Sequence, residues 1–287
     1  MEAWLQVKHI ASFIFTSIFA FHFSNQFQNV LKNPNKKVYF VSDVHLGAPA
    51  LKNNKERELA FVDWLNEIKT DASHLFLMGD IFDFWFEYKT VVPRGFTRTL
   101  GKIAEIADSG VEVHFFTGNH DIWVFDYLPK ELGMTLHRNE FKTELYGKKF
   151  FLAHGDGLDQ TDKGYLLLKK LFTSKILQWM FARIHPNLSL SFGYNWSKRS
   201  RISKGITGEG FKGTKDEGMF IFAESILRNE MFDYFIFGHR HVLVDHPIGE
   251  NSRYINLGDW IKHFSYGVFD GNTFELKQYN YQGPKGH

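Results

Sequence analysis

Residues 75–80, Leu75-Phe76-Leu77-Met78-Gly79-Asp80, form an apolar run that stops abruptly at a glycine and a carboxylate. A short, uninterrupted apolar run is typical of a strand that is buried on both faces of a sheet. Open α/β sheets bind their ligands beyond the carboxyl ends of such strands, which is where Asp80 would lie. The stretch therefore predicts a central strand that delivers a carboxylate to a ligand site.

Four other apolar runs end in the same way. They are residues 38–42 before Asp43 and His45, residues 111–116 before Asn119, residues 150–153 before His154, and residues 234–237 before His239 and His241. Five strand ends thus offer carboxylate, amide or imidazole groups, which are the groups that a divalent-metal site needs.

Helical and strand patterns alternate along the first half of the chain. Residues 55–68 and 97–109 have amphipathic patterns, and Gly110 stops the second one. The resulting β-α-β-α-β order favours parallel strands joined by right-handed crossovers. The remaining predictions are a hairpin over 141–153 turning at Tyr146 and Gly147, a helix over 215–229, and a strand-rich tail with turns at 249–251 and 270–272.

The amino-acid composition limits the classes of protein to which the chain can belong. The 287 residues are 44% hydrophobic and 17% aromatic, which supplies a core for one large domain or two small ones. The net charge of +2 indicates no polyanionic partner. Cysteine is absent, so disulfides, thiolate metal sites and cysteine nucleophiles are excluded, as suits a cytosolic protein.

Residues 1–35 differ from the rest of the chain. Residues 10–23 are apolar, but a membrane-spanning helix needs roughly 20 such residues. A secretory h-region fits this length, yet no small-residue cleavage site follows, and an interfacial helix is a further alternative. We expect an apolar extension over 1–35, peripheral or disordered, and a folded domain over 36–287.

An insertion of about residues 160–210 lies between two of the site strands. No acidic residue occurs between Asp162 and Glu209, whereas nine lysines and arginines do, interleaved with large apolar residues. The pattern predicts cationic, apolar helices. These either pack on the domain as ordinary amphipathic helices, or cover a ligand that carries phosphate and acyl chains, or rest on anionic lipid.

The polar strand ends together form one candidate metal-ligand set: Asp43, His45, Asp80, Asn119, His154, His239 and His241. Seven ligands are too many for one tetrahedral ion but suit two ions that share a carboxylate. Such a pair can clamp a phosphoryl group and lower the pKa of a bound water. The mixture of oxygen and imidazole ligands favours two Mn²⁺ ions, with Fe or Zn as alternatives.

Five motifs around these ligands resemble those of the calcineurin-like metallophosphoesterases. They are Asp43-x-His45, Gly79-Asp80-x-x-Asp83, Gly118-Asn119-His120-Asp121, His154-Gly155-Asp156 and Gly238-His239-x-His241. The resemblance implies an α/β sandwich of two β-sheets flanked by helices, with the insertion as a helical lid.

The same resemblance implies a role for each ligand. Asp43, His45, Asp80 and His241 would hold one ion, and Asp80, Asn119, His154 and His239 would hold the other. His120 would contact the scissile phosphate and stabilise the leaving oxygen, and Asp121 would orient His120.

Within this superfamily, the chain looks most like the UDP-2,3-diacylglucosamine diphosphatases of lipid A biosynthesis. Their motifs resemble residues 42–47, 79–85, 154–165 and 257–260, although His120 stands where that family has an arginine. The resemblance implies a lid around two acyl chains, and we expect Leu167, Leu171, Ile176 and Trp179 to line the acyl pocket. Substrate-binding residues would then be Asp162, Tyr165, Lys198, Arg199 and Arg201.

The ligand set and the insertion, taken with this resemblance, predict an enzyme that hydrolyses the pyrophosphate bond of a lipid-linked nucleotide sugar. The resemblance implies that the substrate is UDP-2,3-diacylglucosamine and that the products are UMP and 2,3-diacylglucosamine 1-phosphate. The alternative is a metal-dependent phosphodiesterase or phosphatase that acts on another nucleotide or a phospholipid. A nuclease would suit the basic insertion less well, because apolar side chains outnumber stacking aromatics there. We expect a cytoplasmic protein, peripheral on the inner membrane, with no nucleic-acid partner and no obligate protein partner.

Overall fold

The computed structural model of the protein describes residues 36–159, 161–204 and 210–283, and for residues 201–204 it describes the backbone alone. The predicted extension over 1–35 lies outside the described residues, so its prediction stays untested. None of the helices in the described ranges is long and apolar enough to cross a membrane.

Eleven strands and seven helices make up the described ranges. The strands are β1 (Lys37–Val41), β2 (Ala72–Leu77), β3 (Glu112–Phe116), β4 (Thr135–His137), β5 (Phe141–Leu145), β6 (Lys148–Leu152), β7 (Tyr234–Phe237), β8 (Leu243–Ile248), β9 (Ser252–Leu257), β10 (Ser265–Phe269) and β11 (Phe274–Gln278). The helices are α1 (Asn54–Ile68), α2 (Thr97–Asp108), α3 (Tyr127–Leu132), α4 (Lys163–Thr173), α5 (Lys175–Phe181), α6 (Pro186–Lys204) and α7 (Gly218–Leu227).

The strands form two mixed sheets, as predicted. The six-stranded sheet has the order β11-β10-β1-β2-β3-β4, and the five-stranded sheet has the order β5-β6-β7-β9-β8. Strands β1 to β4 pair in parallel, which confirms the prediction from the β-α-β-α-β pattern. β2, the strand from which the sequence argument began, lies inside the larger sheet between β1 and β3.

One apolar layer joins the two sheets. Phe40 and Phe76 from the larger sheet pack in a single cluster with Phe150, Ile236 and Ile255 from the smaller one. Helices α1 and α2 cover the other face of the larger sheet, and α7 covers the other face of the smaller sheet. This layering fixes β1, β2, β3, β6 and β7 next to one another, so that their carboxyl ends meet.

The local predictions hold with small shifts in boundaries. The hairpin β5–β6 is antiparallel, and Tyr146 and Gly147 both have positive φ in its turn, as a tight two-residue turn requires. The helix expected over 215–229 is shorter and runs over Gly218–Leu227. The predicted insertion is helical in its described residues, where α4, α5 and α6 lie between β6 and α7.

Candidate metal centre

The polar residues at the strand ends have unusual backbone conformations. Five of them are non-glycine residues with positive φ: Asp43 at 55°, His45 at 49°, Asp80 at 53°, His239 at 67° and His241 at 54°. Such residues are uncommon, and their strain persists only where the surrounding structure holds them in place. The sheet ends therefore bend sharply just where these side chains turn toward one another.

Close backbone approach is needed at Gly118, which follows β3. A Cβ atom added there would lie 2.2 Å from Asp80 Oδ1. The absence of a side chain lets Asp80 Oδ1 accept a hydrogen bond from the backbone N–H of His120 at 2.8 Å. The glycine of this motif thus fixes the carboxylate in the middle of the centre.

One group of candidate ligands comes from β1 and the segment after β7. Asp43 Oδ1 lies 3.3 Å from His241 Nε2 and 3.6 Å from His45 Nε2. The two imidazoles approach each other with 3.2 Å between their Nε2 atoms. Potential ligand atoms of these three residues all lie within 4.8 Å of one another, which is a suitable spacing for one ion.

A second group lies on the other side of Asp80. Ligand atoms of Asp80, His154 and His239 are also within 4.8 Å of one another, and Asp80 Oδ2 is 3.5 Å from His154 Nε2. The same Asp80 oxygen lies 3.7 Å from His45 Nε2, in the first group. Asp80 therefore stands between the two groups, which is the position of a shared carboxylate.

The donor atoms fit divalent metals. Asp43 Oδ1, Asn119 Oδ1 and His154 Nε2 are buried and have no hydrogen-bond partner among the described residues. Burying an unpaired polar atom is costly, so lone pairs left in this way at one point indicate a cation that they coordinate. Six of the seven sequence-predicted ligands thus belong to the two groups, and the seventh, Asn119, lines the same cavity.

Groups behind the ligands fix the orientation of their rings. His154 Nδ1 is 2.8 Å from the carbonyl oxygen of Met78, and His241 Nδ1 is 3.3 Å from Asp259 Oδ2. Hydrogen bonds of this kind set the tautomer of a metal-binding imidazole and raise its basicity. Asp259 is a residue that the sequence analysis did not assign, although it lies in the quoted stretch 257–260.

The electrostatics of the centre reflect its burial. Burial raises the pKa of Asp43, against the opposing charges of His241 and His154. Burial also disfavours ionised Asp80, but His154 and His120 hold the pKa of that carboxylate below its usual range.

The two imidazoles of the second group differ. Burial lowers the pKa of His239 well below its usual value, so this ring is neutral and its lone pair is available. Burial opposes protonation of His154 as well, but the charge of Asp80 raises the pKa of His154 to about 10. A cation bound at His154 Nε2 would compete with a proton for this nitrogen.

His120 is held differently from the way the sequence analysis expected. Its Nδ1 atom lies 2.8 Å from the carbonyl oxygen of Asp83 and 3.9 Å from Asp83 Oδ1. Asp83 Oδ1 also lies 3.3 Å from His45 Nδ1. Asp83, which the sequence analysis quoted without assigning a role, thus joins His45 to His120.

Asp121 does not contact the ring of His120. Its carboxylate accepts hydrogen bonds from the backbone N–H groups of Gly118, Ile81 and Phe82. Burial and the charge of Asp80 raise the pKa of Asp121 to about 7. The prediction that Asp121 orients His120 is therefore wrong, because Asp121 ties the loop after β3 to the loop after β2.

A cavity of about 640 Å³ opens from these ligands toward the helical insertion. Asp80, Asn119, His120, His239 and His241 line one end. The other end is lined by aromatic and aliphatic side chains: Phe84, Ile122, Trp123, Leu168, Phe172, Phe192 and Trp196. A polar, ligand-rich end and an apolar end thus belong to one continuous space.

The predicted substrate-binding residues divide between this cavity and the surface. Asp162 and Tyr165 line the cavity, Asp162 accepts a hydrogen bond from the backbone N–H of Tyr165, and the Tyr165 hydroxyl donates to Asp156. Lys198 and Arg199 are exposed and do not line it. The side chain of Arg201 lies outside the described residues.

Four apolar residues that we expected to form an acyl pocket face outward instead. Leu167, Leu171, Ile176 and Trp179 are 62%, 46%, 72% and 59% exposed, and none lines the cavity. The expectation is wrong because α4 and α5 each have two apolar faces, and sequence periodicity alone does not tell which one turns inward. Leu168 and Phe172 are the residues of α4 that reach the cavity.

Comparison with known proteins adds three findings on sequence. Residues 36–243 match the family described as calcineurin-like phosphoesterase. A UDP-2,3-diacylglucosamine hydrolase of Porphyromonas gingivalis is 42% identical over 254 residues, which cover 84% of this chain and 97% of that protein. Proteins of the same name from Histophilus somni and Shewanella piezotolerans are 28% and 25% identical, each over 84% of this chain and over 99% and 97% of their own lengths.

Proposed function

Because the chain belongs to the calcineurin-like phosphoesterase family, whose members are metal-dependent hydrolases, we propose that it cleaves the pyrophosphate bond of UDP-2,3-diacylglucosamine. The products are UMP and 2,3-diacylglucosamine 1-phosphate, with one water consumed. The observation that carries the proposal is the single cavity in which candidate metal ligands adjoin an apolar wall. The names of the relatives agree with this substrate.

In this proposal, the ligands at the polar end of the cavity bind two metal ions. Asp43, His45, Asp80 and His241 hold one ion, and Asp80, Asn119, His154 and His239 hold the other. We assign Mn²⁺ to both positions, because the donors combine oxygen with imidazole nitrogen. When bound, two such ions polarise the phosphoryl oxygens and lower the pKa of a bound water.

His120 supplies positive charge or a proton at the leaving oxygen. It lines the cavity beside Asp80, and its Nδ1 atom is turned toward the Asp83 carbonyl. That hydrogen bond requires a proton on Nδ1 and leaves the rest of the ring facing the cavity. A side chain placed in this way stabilises charge that develops as the P–O bond breaks.

The apolar end of the cavity accommodates the acyl chains. Each CH₂ group removed from water contributes about 0.8 kcal/mol, so two chains supply a large share of the binding energy. Phe172, Phe192 and Trp196 on the insertion line this end together with Phe84 and Trp123, and the ring of Phe172 packs against that of Trp123 with 5.2 Å between their centroids. In this proposal the insertion acts as the lid over the lipid part of the substrate.

The outward face of the insertion rests on the inner membrane from the cytoplasmic side. Ile176, Trp179 and Leu188 are large apolar residues that are more than half exposed, and no acidic residue occurs between 163 and 208. Apolar and cationic groups on one surface suit an anionic lipid bilayer. Sedimentation with vesicles of anionic and of neutral phospholipid tests this, and equal recovery in the supernatant from both would contradict it.

The substrate assignment is tested by the ratio of kcat/KM for UDP-2,3-diacylglucosamine to kcat/KM for UDP-N-acetylglucosamine. The two molecules share nucleotide, pyrophosphate and hexose, and they differ in their acyl chains. We expect a ratio of several orders of magnitude, together with loss of activity on chelation and its return with Mn²⁺. A ratio near one would leave a general nucleotide phosphoesterase.

A further inference from the structure

Arg240 stands between two of the candidate metal ligands, His239 and His241, in the turn after β7. Its side chain lines the cavity and keeps 23% of its surface exposed. Among the described residues, Lys212 and Arg240 are the lysine and arginine side chains that line this space. Of the two, only Arg240 adjoins the metal ligands in the chain.

Glu217, the residue just before α7, holds the Arg240 side chain. Glu217 is buried, and its Oε1 atom accepts a hydrogen bond from Arg240 Nε at 3.0 Å. The contact uses one edge of each group, since Glu217 Oε2 and Arg240 Nη2 have no hydrogen-bond partner among the described residues. A buried carboxylate thus fixes the guanidinium at Nε and leaves its Nη2 atom, which is buried, without a hydrogen-bond partner among the described residues.

We propose that Arg240, positioned by Glu217, binds the phosphate group of the substrate that is not attacked. This inference rests on the proposed function in one respect, namely that the substrate contains two linked phosphates. With one phosphate at the metal ligands, the other lies one bridging oxygen away, so the group that binds it must adjoin those ligands. Arg240 is next to two of those ligands in the chain and lines the same cavity.

The chemistry of the side chain suits this role. A guanidinium offers paired N–H donors in a fixed plane, which match two oxygens of a phosphate, and it stays charged at every working pH. The cavity is otherwise rich in carboxylates, including Asp159, Asp162 and Asp216. A second phosphate would be repelled there without a nearby cation, so Arg240 makes the site selective for diphosphates over monophosphates.

Competition by UMP and UDP tests the proposal without any lipid substrate. Hydrolysis of bis(p-nitrophenyl) phosphate by the Mn²⁺-loaded full chain serves as the reporter, and the measured quantity is the ratio of the inhibition constant for UMP to that for UDP. We expect UDP to inhibit more tightly in the unaltered protein. Arg240→Ala should reduce the ratio by about 10- to 100-fold, the range for loss of a charge-assisted hydrogen bond.

Three further variants separate binding from structural damage. Arg240→Lys keeps the charge without the planar fork, and we expect it to restore only part of the ratio. Glu217→Gln keeps the size of the positioning residue, and we expect it to weaken UDP binding while the kcat of the reporter reaction changes less than its inhibition by UDP. Arg228→Ala removes an exposed arginine from the end of α7 and should leave the ratio unchanged.

Two outcomes would overturn the inference. One is equal inhibition of the unaltered protein by UMP and UDP. The other is a ratio in Arg240→Ala, or in Arg240→Lys if the alanine variant does not fold, that matches the unaltered protein. A wrong assignment of the lipid substrate would be seen in a different experiment, as equal turnover of acylated and unacylated substrates. That result does not depend on the ratio of the inhibition constants for UMP and UDP.

Discussion

The two ends of the cavity are built in opposite ways. At the metal end, Asp43, His45 and Asp80 are almost wholly buried, and each is fixed by the end of a sheet strand. At the apolar end, Phe192 and Trp196 are 59% and 49% exposed, and α4 and α5 contain no buried residue. The difference teaches that the metal-binding side chains are already held in place by the fold, whereas the part of the apolar wall that α6 supplies keeps about half of its aromatic surface exposed for an apolar ligand to cover.

This contrast has an energetic reason. Phosphoryl transfer depends on charges and dipoles that are fixed in advance, which a twisted, covered sheet supplies well. Binding of an acyl chain depends on apolar area, which is non-directional and tolerates loosely held side chains. This difference accounts for the strained φ angles at the metal end and for the exposed aromatic side chains of the insertion.

The largest effect is expected from Asp80→Ala, which removes the carboxylate that both ligand groups share in the proposed assignment. We expect hydrolysis of every substrate to fall to background and the content of bound metal to drop, because each group loses a charged oxygen. Elemental analysis of the purified variant, with circular dichroism as a check on folding, measures this. Asp216→Ala, which removes an exposed carboxylate from the same cavity, is the control for metal content. An Asp80→Ala protein with near-normal metal content and activity would show that the two-metal assignment is wrong.

The next effect is expected from His120→Ala, which alters the metal end without removing an assigned ligand. We expect kcat to fall about 10²- to 10⁴-fold, the range for a general acid or charge-stabilising side chain, while metal content is kept. Potential ligand atoms of His120 lie within 4.8 Å of those of His45 and Asp80, so metal content must be measured in the same preparation. Loss of metal in parallel with activity would make His120 a ligand instead.

A smaller and selective effect is expected at the apolar end. Phe192→Ser and Trp196→Ser should each raise KM for the diacylated substrate about 10- to 100-fold, because each removes roughly 1.5–3 kcal/mol of apolar contact. Hydrolysis of bis(p-nitrophenyl) phosphate reports on the metal end alone. Leu188→Ser changes an exposed residue of the same helix that does not line the cavity. With the substrate dispersed in detergent, so that no bilayer is present, this variant should leave KM for the diacylated substrate and kcat/KM for the small diester unchanged. If Leu188→Ser and Phe192→Ser raise KM equally, the face of α6 that lines the cavity does not contact the substrate.

The metal end could be predicted from the sequence because each part of it is local. An apolar run, a glycine and one or two polar residues specify a strand and the side chains at its end, as residues 75–80 do. The packing of buried strands then brings those ends together. Arg240 could also have been identified from the local sequence, because it lies between two of the predicted ligands.

The apolar end could be predicted only in outline. Its composition indicated helices, but which face turns inward depends on contacts with distant segments. Successive residues of a helix are rotated by about 100°, so Ser197 can be buried while Lys198 and Arg199, its neighbours, face solvent. The role of Asp83 could not be predicted for the same reason, since its hydrogen-bond partner Ser197 is 114 residues away in the chain.

The smallest effect tests whether the two ends are independent. They meet along one face of α6, where Ser189, Gly193 and Ser197 are spaced four residues apart. Ser189 hydrogen-bonds with Tyr88, a Cβ at Gly193 would lie 2.3 Å from the Phe84 ring, and Ser197 donates to Asp83. Of these three contacts, only the one between Ser197 and Asp83 connects to the metal end, because Asp83 also contacts His45 and His120.

Ser197→Ala and Ser189→Ala form a matched pair for this test. Ser197→Ala removes the hydrogen bond to Asp83, and Ser189→Ala removes the hydrogen bond to Tyr88 together with one to the carbonyl oxygen of Pro186. Each lost bond costs about 1 kcal/mol, so both variants should loosen α6 and raise KM for the diacylated substrate. Ser197→Ala alone should also lower kcat for bis(p-nitrophenyl) phosphate, by about three- to tenfold, because Asp83 loses a donor that fixes its carboxylate. Steady-state kinetics of the two variants on the two substrates measure the difference. Equal kcat values of the two variants for the small diester would show that the insertion and the metal centre act independently, and that Asp83 transmits nothing between them.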